Sequence, residues 1–163
     1  MTVVTSPQID PARAEDIPTV RKLLREYAAG LGFSLDFQGF EREVASLPGD
    51  YAPPAGALLV ARDRGELAGC VALRRLDAET CEMKRLYVRT PWRGRRVGAA
   101  LAAAVVEEGR RVGYRRMRLD TVPGMETAQA LYERLGFREI APYRTNPVPG
   151  ARFLELDLSA AEA

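Results

Sequence analysis

The chain has 163 residues, of which 24 are lysine or arginine and 22 aspartate or glutamate, so its net charge is only +2. Hydrophobic residues make up 47% and charged residues 28%, the balance of one soluble globular domain with a real core, and the small net charge gives no compositional reason to expect nucleic-acid binding. Histidine is absent, which excludes Ser-His-Asp and Cys-His catalysis and histidine metal sites.

The basic residues are almost all arginine, Lys22 and Lys84 being the two lysines. Arginine suits phosphates, but a GC-rich genome gives the same bias. Cys70 and Cys81 stand alone in apolar runs without the spacing of a zinc site or redox pair, so they read as reduced core residues and no metal is expected. No apolar run is long enough to cross a membrane, and Met1 to Gln8 lacks the basic-then-apolar pattern of a signal peptide. The expectation is a cytoplasmic protein with a leader at 1–8, one domain at 9–158 and a tail at 159–163.

In chain order, Ile9 to Ala14 reads as a short strand. Ile17, Val20, Leu23, Leu24, Tyr27 and Leu31 then recur at helical spacing, opened by Asp16 and Pro18 and closed at Gly30 or Gly32. Gly39 to Leu47 reads as a second short helix, and Asp50 to Gly56, with Pro53 and Pro54, as a loop. Ala57–Arg62 and Leu67–Leu76, joined by Asp63-Arg64-Gly65-Glu66, predict a β-hairpin. Cys81 to Val88 is the next strand and Pro91 to Arg96 a basic turn. Gly98 to Gly113 is a helix with Leu101, Ala104, Val105 and Val112 on one face and an i,i+4 pair, Glu107 with Arg111, on the other. Arg116 to Thr121 alternates, with Met117 and Leu119 inward; Thr127 to Leu135 is a short helix ended by Gly136; Arg152 to Leu158 alternates again. Helices and strands share one core, which predicts an α/β (α+β) domain with a mixed central sheet of about six to seven strands and about four helices.

The segment Leu86-Tyr87-Val88-Arg89-Thr90-Pro91-Trp92-Arg93-Gly94-Arg95-Arg96-Val97-Gly98-Ala99 carries the most chemistry. An apolar strand enters a basic turn that runs directly into an alanine-rich helix. The first amides of a helix have no internal partner and its dipole favours an anion there. Gly94 and Gly98 let a ligand approach the backbone, while Arg93, Arg95 and Arg96 add positive charge. These are the parts of a pyrophosphate cradle; the alternative is a solvated arginine-rich loop. The segment is neither a Walker A loop nor a dinucleotide fingerprint.

Arg93-Gly94-Arg95-Arg96-Val97-Gly98 resembles the Gln/Arg-x-x-Gly-x-Gly/Ala motif of the GCN5-related N-acetyltransferase (GNAT) family, with Arg96 where the family usually has glycine. Ala128-x-x-Leu131-Tyr132-Glu133-Arg134-Leu135-Gly136-Phe137 is similar to the family's A-x-x-L-Y-E-K-L-G-F segment, and Met125 stands where an asparagine is frequent. The resemblance spans roughly Ile9 to Leu158. It implies a GNAT-like domain that transfers an acetyl group from acetyl-CoA, as cosubstrate, to an amine by direct attack in a ternary complex. It also implies that pantetheine lies along Leu86, Tyr87 and Val88, and that the pyrophosphate meets the amides of Arg95, Arg96, Val97, Gly98 and Ala99, with Arg93 and Gly94 shaping the turn. The family's general-acid tyrosine falls on Tyr132, and the glutamate base of its histone-acetylating branch on Glu82.

The chemistry needs such groups. An amine must be neutral to attack a thioester, and a carboxylate is a natural proton acceptor. Glu82, Lys84, Leu86 and Val88 share a face if their strand is regular; a bulge shifts that parity. The alternative for Glu82 is an ion pair with a neighbouring arginine, and for Tyr132 a core aromatic beside Ala128, Leu131 and Leu135. A phenol is protonated at neutral pH and suits a thiolate leaving group. A strand amide near Leu86 would polarise the thioester carbonyl. Tyr143 and Asn146, and from the other side Tyr27, Phe33, Phe37, Phe40 and Tyr51, are candidates for the acceptor wall or plain packing. Arg74 and Arg75 would either meet an acceptor carboxylate or form a solvated strand end.

Two rivals remain at this point. One is a CoA-binding domain of the same fold without catalysis. The other is a nucleic-acid module using Arg93 to Arg96 with Arg110, Arg111, Arg115, Arg116 and Arg118, against which stands the near balance of charge and the lack of interleaved aromatics. The expected partners are an amine acceptor, small-molecule or peptide, with no nucleic acid and no membrane, and a homodimer left open.

Overall fold

The computed structural model describes residues 6–35 and 39–159. The first five residues of the leader, Phe37 and the last four residues of the tail lie outside the described residues. The strands are β1 (Gln8–Pro11), β2 (Ala57–Asp63), β3 (Glu66–Arg75), β4 (Thr80–Val88), β5 (Arg116–Thr121), β6 (Arg138–Ile140) and β7 (Arg152–Asp157). The helices are α1 (Ile17–Ala29), α2 (Phe40–Ser46), α3 (Val97–Val112) and α4 (Glu126–Leu135). The strands form one seven-stranded mixed sheet in the order β1-β2-β3-β4-β5-β7-β6. All neighbours are antiparallel except β4 and β5.

Each face of the sheet packs on its own helices. On one, Val20, Leu23 and Leu24 of α1 and Phe40 and Val44 of α2 cover Leu58, Val60, Cys70 and Ala72. On the other, Leu101, Ala102 and Val105 of α3 and Leu131 and Tyr132 of α4 cover Leu59, Leu73, Met83, Met117 and Leu154. The alternation of β2 and β3 between these two sets follows from a strand's period of two: with both faces covered, both sets must be apolar. Cys70 and Cys81 are free and buried, and burial pushes both thiols up to about 12, as expected of inert core cysteines.

Three details differ from the sequence reading. Strand β6 is only three residues long and mostly exposed, too short and too polar to register as a pattern. On α3 the acidic residues pair at a spacing one residue shorter than expected: Glu107 with Arg110 and Glu108 with Arg111, both at i,i+3. The third difference is a bulge in β4. Cys70 pairs with Tyr87 but Ala72 with Lys84, so Val71 alone faces both Arg85 and Leu86, and Arg85 takes φ +60°. Glu82 and Lys84 therefore do not share a face with Leu86 and Val88, which pack against the α3 side, while Tyr87 turns toward α1.

Candidate active site

Strands β4 and β5 pair only from Thr80–Arg116 to Glu82–Arg118. Beyond that point they part, and the gap is a narrow cleft of about 70 Å³ that passes between the two faces of the sheet. Leu86 of β4 and Asp120 of β5 line it, with Tyr132 and Met125 from the α4 side and Tyr27 and Phe33 from the α1 side. Two parallel strands that separate expose backbone groups no neighbour satisfies, so a ligand able to pair with an extended backbone fits there.

At the end of β4 the chain makes a 3-10 turn at Thr90–Trp92 and enters α3. The first helical bond runs from Ala100 N–H to Arg96 O at 3.1 Å, and no side chain caps the preceding amides of Val97, Gly98 and Ala99. Gly94 has φ +79°, and a Cβ there would meet nothing within 4 Å, so the backbone at this point of the turn is open to approach. An approachable backbone, uncapped amides and three arginines fit a diphosphate. Each arginine is held differently. Arg93 donates Nε to Val88 O at 3.0 Å and lies over the Tyr87 ring, so it shapes the turn. Arg95 lies 3.8 Å from Asp63, whose carboxylate also accepts from Trp92 Nε1 at 2.8 Å and so pins the turn to β2. Arg96 is exposed and sits at φ +62°, the left-handed conformation that explains glycine at this place in the resembling motif.

Tyr132 projects from α4 into the cleft with its ring against Phe137. Its hydroxyl makes no hydrogen bond among the described residues, and burial, with Tyr27 and Asp120 adding, holds its pKa well above the ordinary phenol value. Glu82 is fully buried on the opposite face. Arg74 Nε donates to its Oε1 at 2.8 Å, Tyr143 Oη to its Oε2 at 2.6 Å, and Arg144 Nη2 lies 2.7 Å from Oε2. Both oxygens are thus engaged by donors, the geometry of the ion-pair alternative. Arg144 also reaches Asp120 at 2.8 Å, and Asn146 Nδ2 donates to the other oxygen of Asp120 at 3.0 Å. The β6–β7 loop is in this way tied to the point where β4 and β5 part.

Lys84 is buried in the wall of the cleft; burial lowers its ammonium to about 8, with Arg85 assisting and Glu82 opposing. Arg85, at the bulge, is buried in a bidentate pair with Glu43, both bonds 2.8 Å, between the rings of Tyr27 and Phe40. Of the aromatic candidates, Tyr27 and Phe33 line the cleft, Phe40 supports Arg85, and Tyr51 is buried against α2 and β3. Arg144, Asp120 and Arg85 carried no local sequence signal, since each acts on a residue far away along the chain. Arg110, Arg111, Arg116 and Arg118 pair with Glu107, Glu108, Glu79 and Glu155.

A sheet split between its central parallel strands, with an open helix N-terminus beside the split, defines the class of acyl-CoA-dependent acyltransferases. The model described as Acetyltransferase (GNAT) family matches residues 20–137, and this chain belongs to that family. An uncharacterized N-acetyltransferase of Schizosaccharomyces pombe is 37% identical over 89% of this chain and 90% of its own length. An uncharacterized N-acetyltransferase of Escherichia coli is 28% identical over 83% of this chain and 84% of its own. Among solved structures, yncA of Salmonella typhimurium, determined with its cofactor acetyl-CoA, has the same fold at a TM-score of 0.76, with 17% identity over 98% of both chains. The chain is an N-acetyltransferase by family, and among the described residues no helix is long and apolar enough to cross a membrane.

Proposed function

We propose that the protein transfers an acetyl group from acetyl-CoA to a primary amine by direct attack within a ternary complex. The observation that carries the reading is the parting of β4 and β5 immediately beside the uncapped start of α3. On this reading the amides of Arg95 to Ala99 hold the pyrophosphate, Arg93 and Gly94 fix the turn, and Leu86 to Val88 align the pantetheine arm. The coenzyme supplies an activated thioester, and an amide near Leu86 polarises its carbonyl.

The amine enters from the α1–α2 face after losing its ammonium proton. Its nitrogen lone pair forms the new N–C bond as the C–S bond breaks. Tyr132 gives its hydroxyl proton to the departing sulfur and is restored by the proton the nitrogen sheds. Burial supports this role by keeping the phenol protonated across the neutral range. For Glu82, the donors on both oxygens support anchoring of Arg74, Tyr143 and Arg144 over direct proton abstraction. The ammonium proton is lost to solvent before the amine attacks.

Calorimetric titration with CoA, followed by thiol release from acetyl-CoA against a panel of amines, tests the reading. Saturable CoA binding and amine-dependent thiol release are expected. Binding without release for any amine would favour a non-catalytic CoA-binding domain, and no binding by folded protein would overturn the proposal.

A further inference from the structure

Beside the cleft a second cavity, of about 490 Å³, opens between α2, β3, β4 and the β6–β7 loop. Lys84 lines both spaces and is their common wall. Four cations line the second cavity, from four separate elements: Arg42 of α2, Arg74 of β3, Lys84 of β4 and Arg144 of the loop. Buried Glu82, the carboxylate common to Arg74 and Arg144, fixes both guanidinium groups in place.

Arg74 is attached to Glu82 through Nε; Nη1 and Nη2 donate no hydrogen bond among the described residues, and the side chain is 29% exposed. An arginine held from behind in this way keeps its two-nitrogen edge for a planar anion, and that edge matches a carboxylate. Arg144 lines the same cavity with its guanidinium group held by Glu82 and Asp120. Asp50 on the same wall suits the ammonium group of a ligand whose carboxylate meets these cations, while Glu43 is already paired with Arg85.

We propose that the acceptor is an amino-carboxylic acid whose carboxylate is gripped by Arg74, with Arg144 beside it, so that its amine is presented past Lys84 to the cleft. The proposal rests on the transfer reading above. It assigns Arg74 to substrate selection and leaves the coenzyme cradle, on the other face of the sheet, untouched.

The test offers each of several amines as the free amino acid, its carboxamide and the decarboxylated amine, with small, acidic and aromatic side chains represented. Wild-type kcat/KM is expected to favour at least one acid over its carboxamide by roughly ten- to a hundredfold, the scale of a charge-assisted bidentate contact. Arg74→Gln reduces that ratio to near one, and Arg74→Lys, which keeps the charge on Glu82 should the first variant fold poorly, leaves it in between. CoA affinity by calorimetry stays within about twofold in both, since the coenzyme groups lie elsewhere. A readout independent of turnover is thermal stabilisation by succinate, which has no amine, against uncharged succinamide; succinate alone is expected to raise the melting temperature, and less so in Arg74→Gln. Equal rates on acid and carboxamide throughout the panel would overturn the proposal whatever succinate does. Failure of CoA to bind would instead sink the transfer reading, and the two failures are read from different titrations.

Discussion

Arg144 and Glu82 stand sixty-two residues apart and meet inside the protein, Arg144 Nη2 lying 2.7 Å from Glu82 Oε2. The same guanidinium group holds Asp120, so one side chain ties the β6–β7 loop to both strands that border the cleft. A fully buried carboxylate shared by two arginines and a tyrosine is stable only while all of them remain, because each lost partner leaves charge behind in a poorly solvated place.

Substitution of Glu82 separates its two roles. As an anchor, Glu82→Gln loosens Arg74, Tyr143 and Arg144 together. The melting temperature then drops by several degrees, acceptor KM rises, and kcat falls less than about tenfold. As the direct base, the same change lowers kcat by about 10²–10⁴-fold with stability and KM nearly intact. Thermal denaturation alongside steady-state kinetics decides, and the contacts favour the first pattern.

Acid sensitivity follows from the pair beneath the bulge. Burial pushes the Glu43 carboxyl up, but the hydrogen bonds and charge of Arg85 outweigh it, so its pKa lies below the ordinary 4.5. A depressed folded value means that the group's stabilisation is complete above the unfolded value and disappears as pH falls through the folded one. Glu43→Gln is expected to cost about 3–5 kcal/mol at neutral pH, as breaking a buried ion pair does. It also removes part of the stability loss below pH 4.5. Urea denaturation at pH 7 and at steps below 4.5 measures both; equal slopes against pH in the two proteins would refute the assignment.

Tyr132 offers a cleaner separation of catalysis from packing. Its hydroxyl bonds to nothing among the described residues, so Tyr132→Phe keeps the ring contact with Phe137 and the melting temperature. If the hydroxyl protonates the leaving sulfur, kcat falls by about a hundredfold or more while CoA affinity holds. Unchanged kcat would return Tyr132 to the hydrophobic core.

How far these features could be read from the chain depends on how local their causes are. The turn at Arg93–Arg96, helix α3 and helix α4 were legible because strand, glycine and helix follow one another within a few residues, and the motif resemblance rests on those residues. The bulge at Arg85 was not, because its partner Glu43 is forty-two residues upstream and nothing between them sets the register. Glu82 was visible as a candidate, yet its surroundings come from β3 and the β6–β7 loop, which only the fold brings together. Arg74 was legible as a candidate for a carboxylate, but not its attachment through Nε, which depends on the cross-strand pairing of Arg74 with Glu82. Leu86 and Val88 were placed on the face of Glu82 only for a regular strand, and one extra residue at the bulge reversed them.

Arg96 poses the last question, since its left-handed backbone is costly for any residue with a Cβ. That conformation costs a non-glycine residue roughly 1–2 kcal/mol, part of which glycine would return as lost freedom of the unfolded chain. Arg96→Gly is therefore expected to raise stability by about 0.5–1 kcal/mol, measured by urea denaturation. The same change removes an exposed cation beside the uncapped amides of α3, and the loss to CoA binding should stay within about fivefold and shrink with added salt. A protein made more stable but only slightly weaker for CoA would mean that the amides hold the diphosphate and the Arg96 charge merely assists. A loss of affinity far beyond fivefold would move the burden of recognition from the backbone to the arginine side chain.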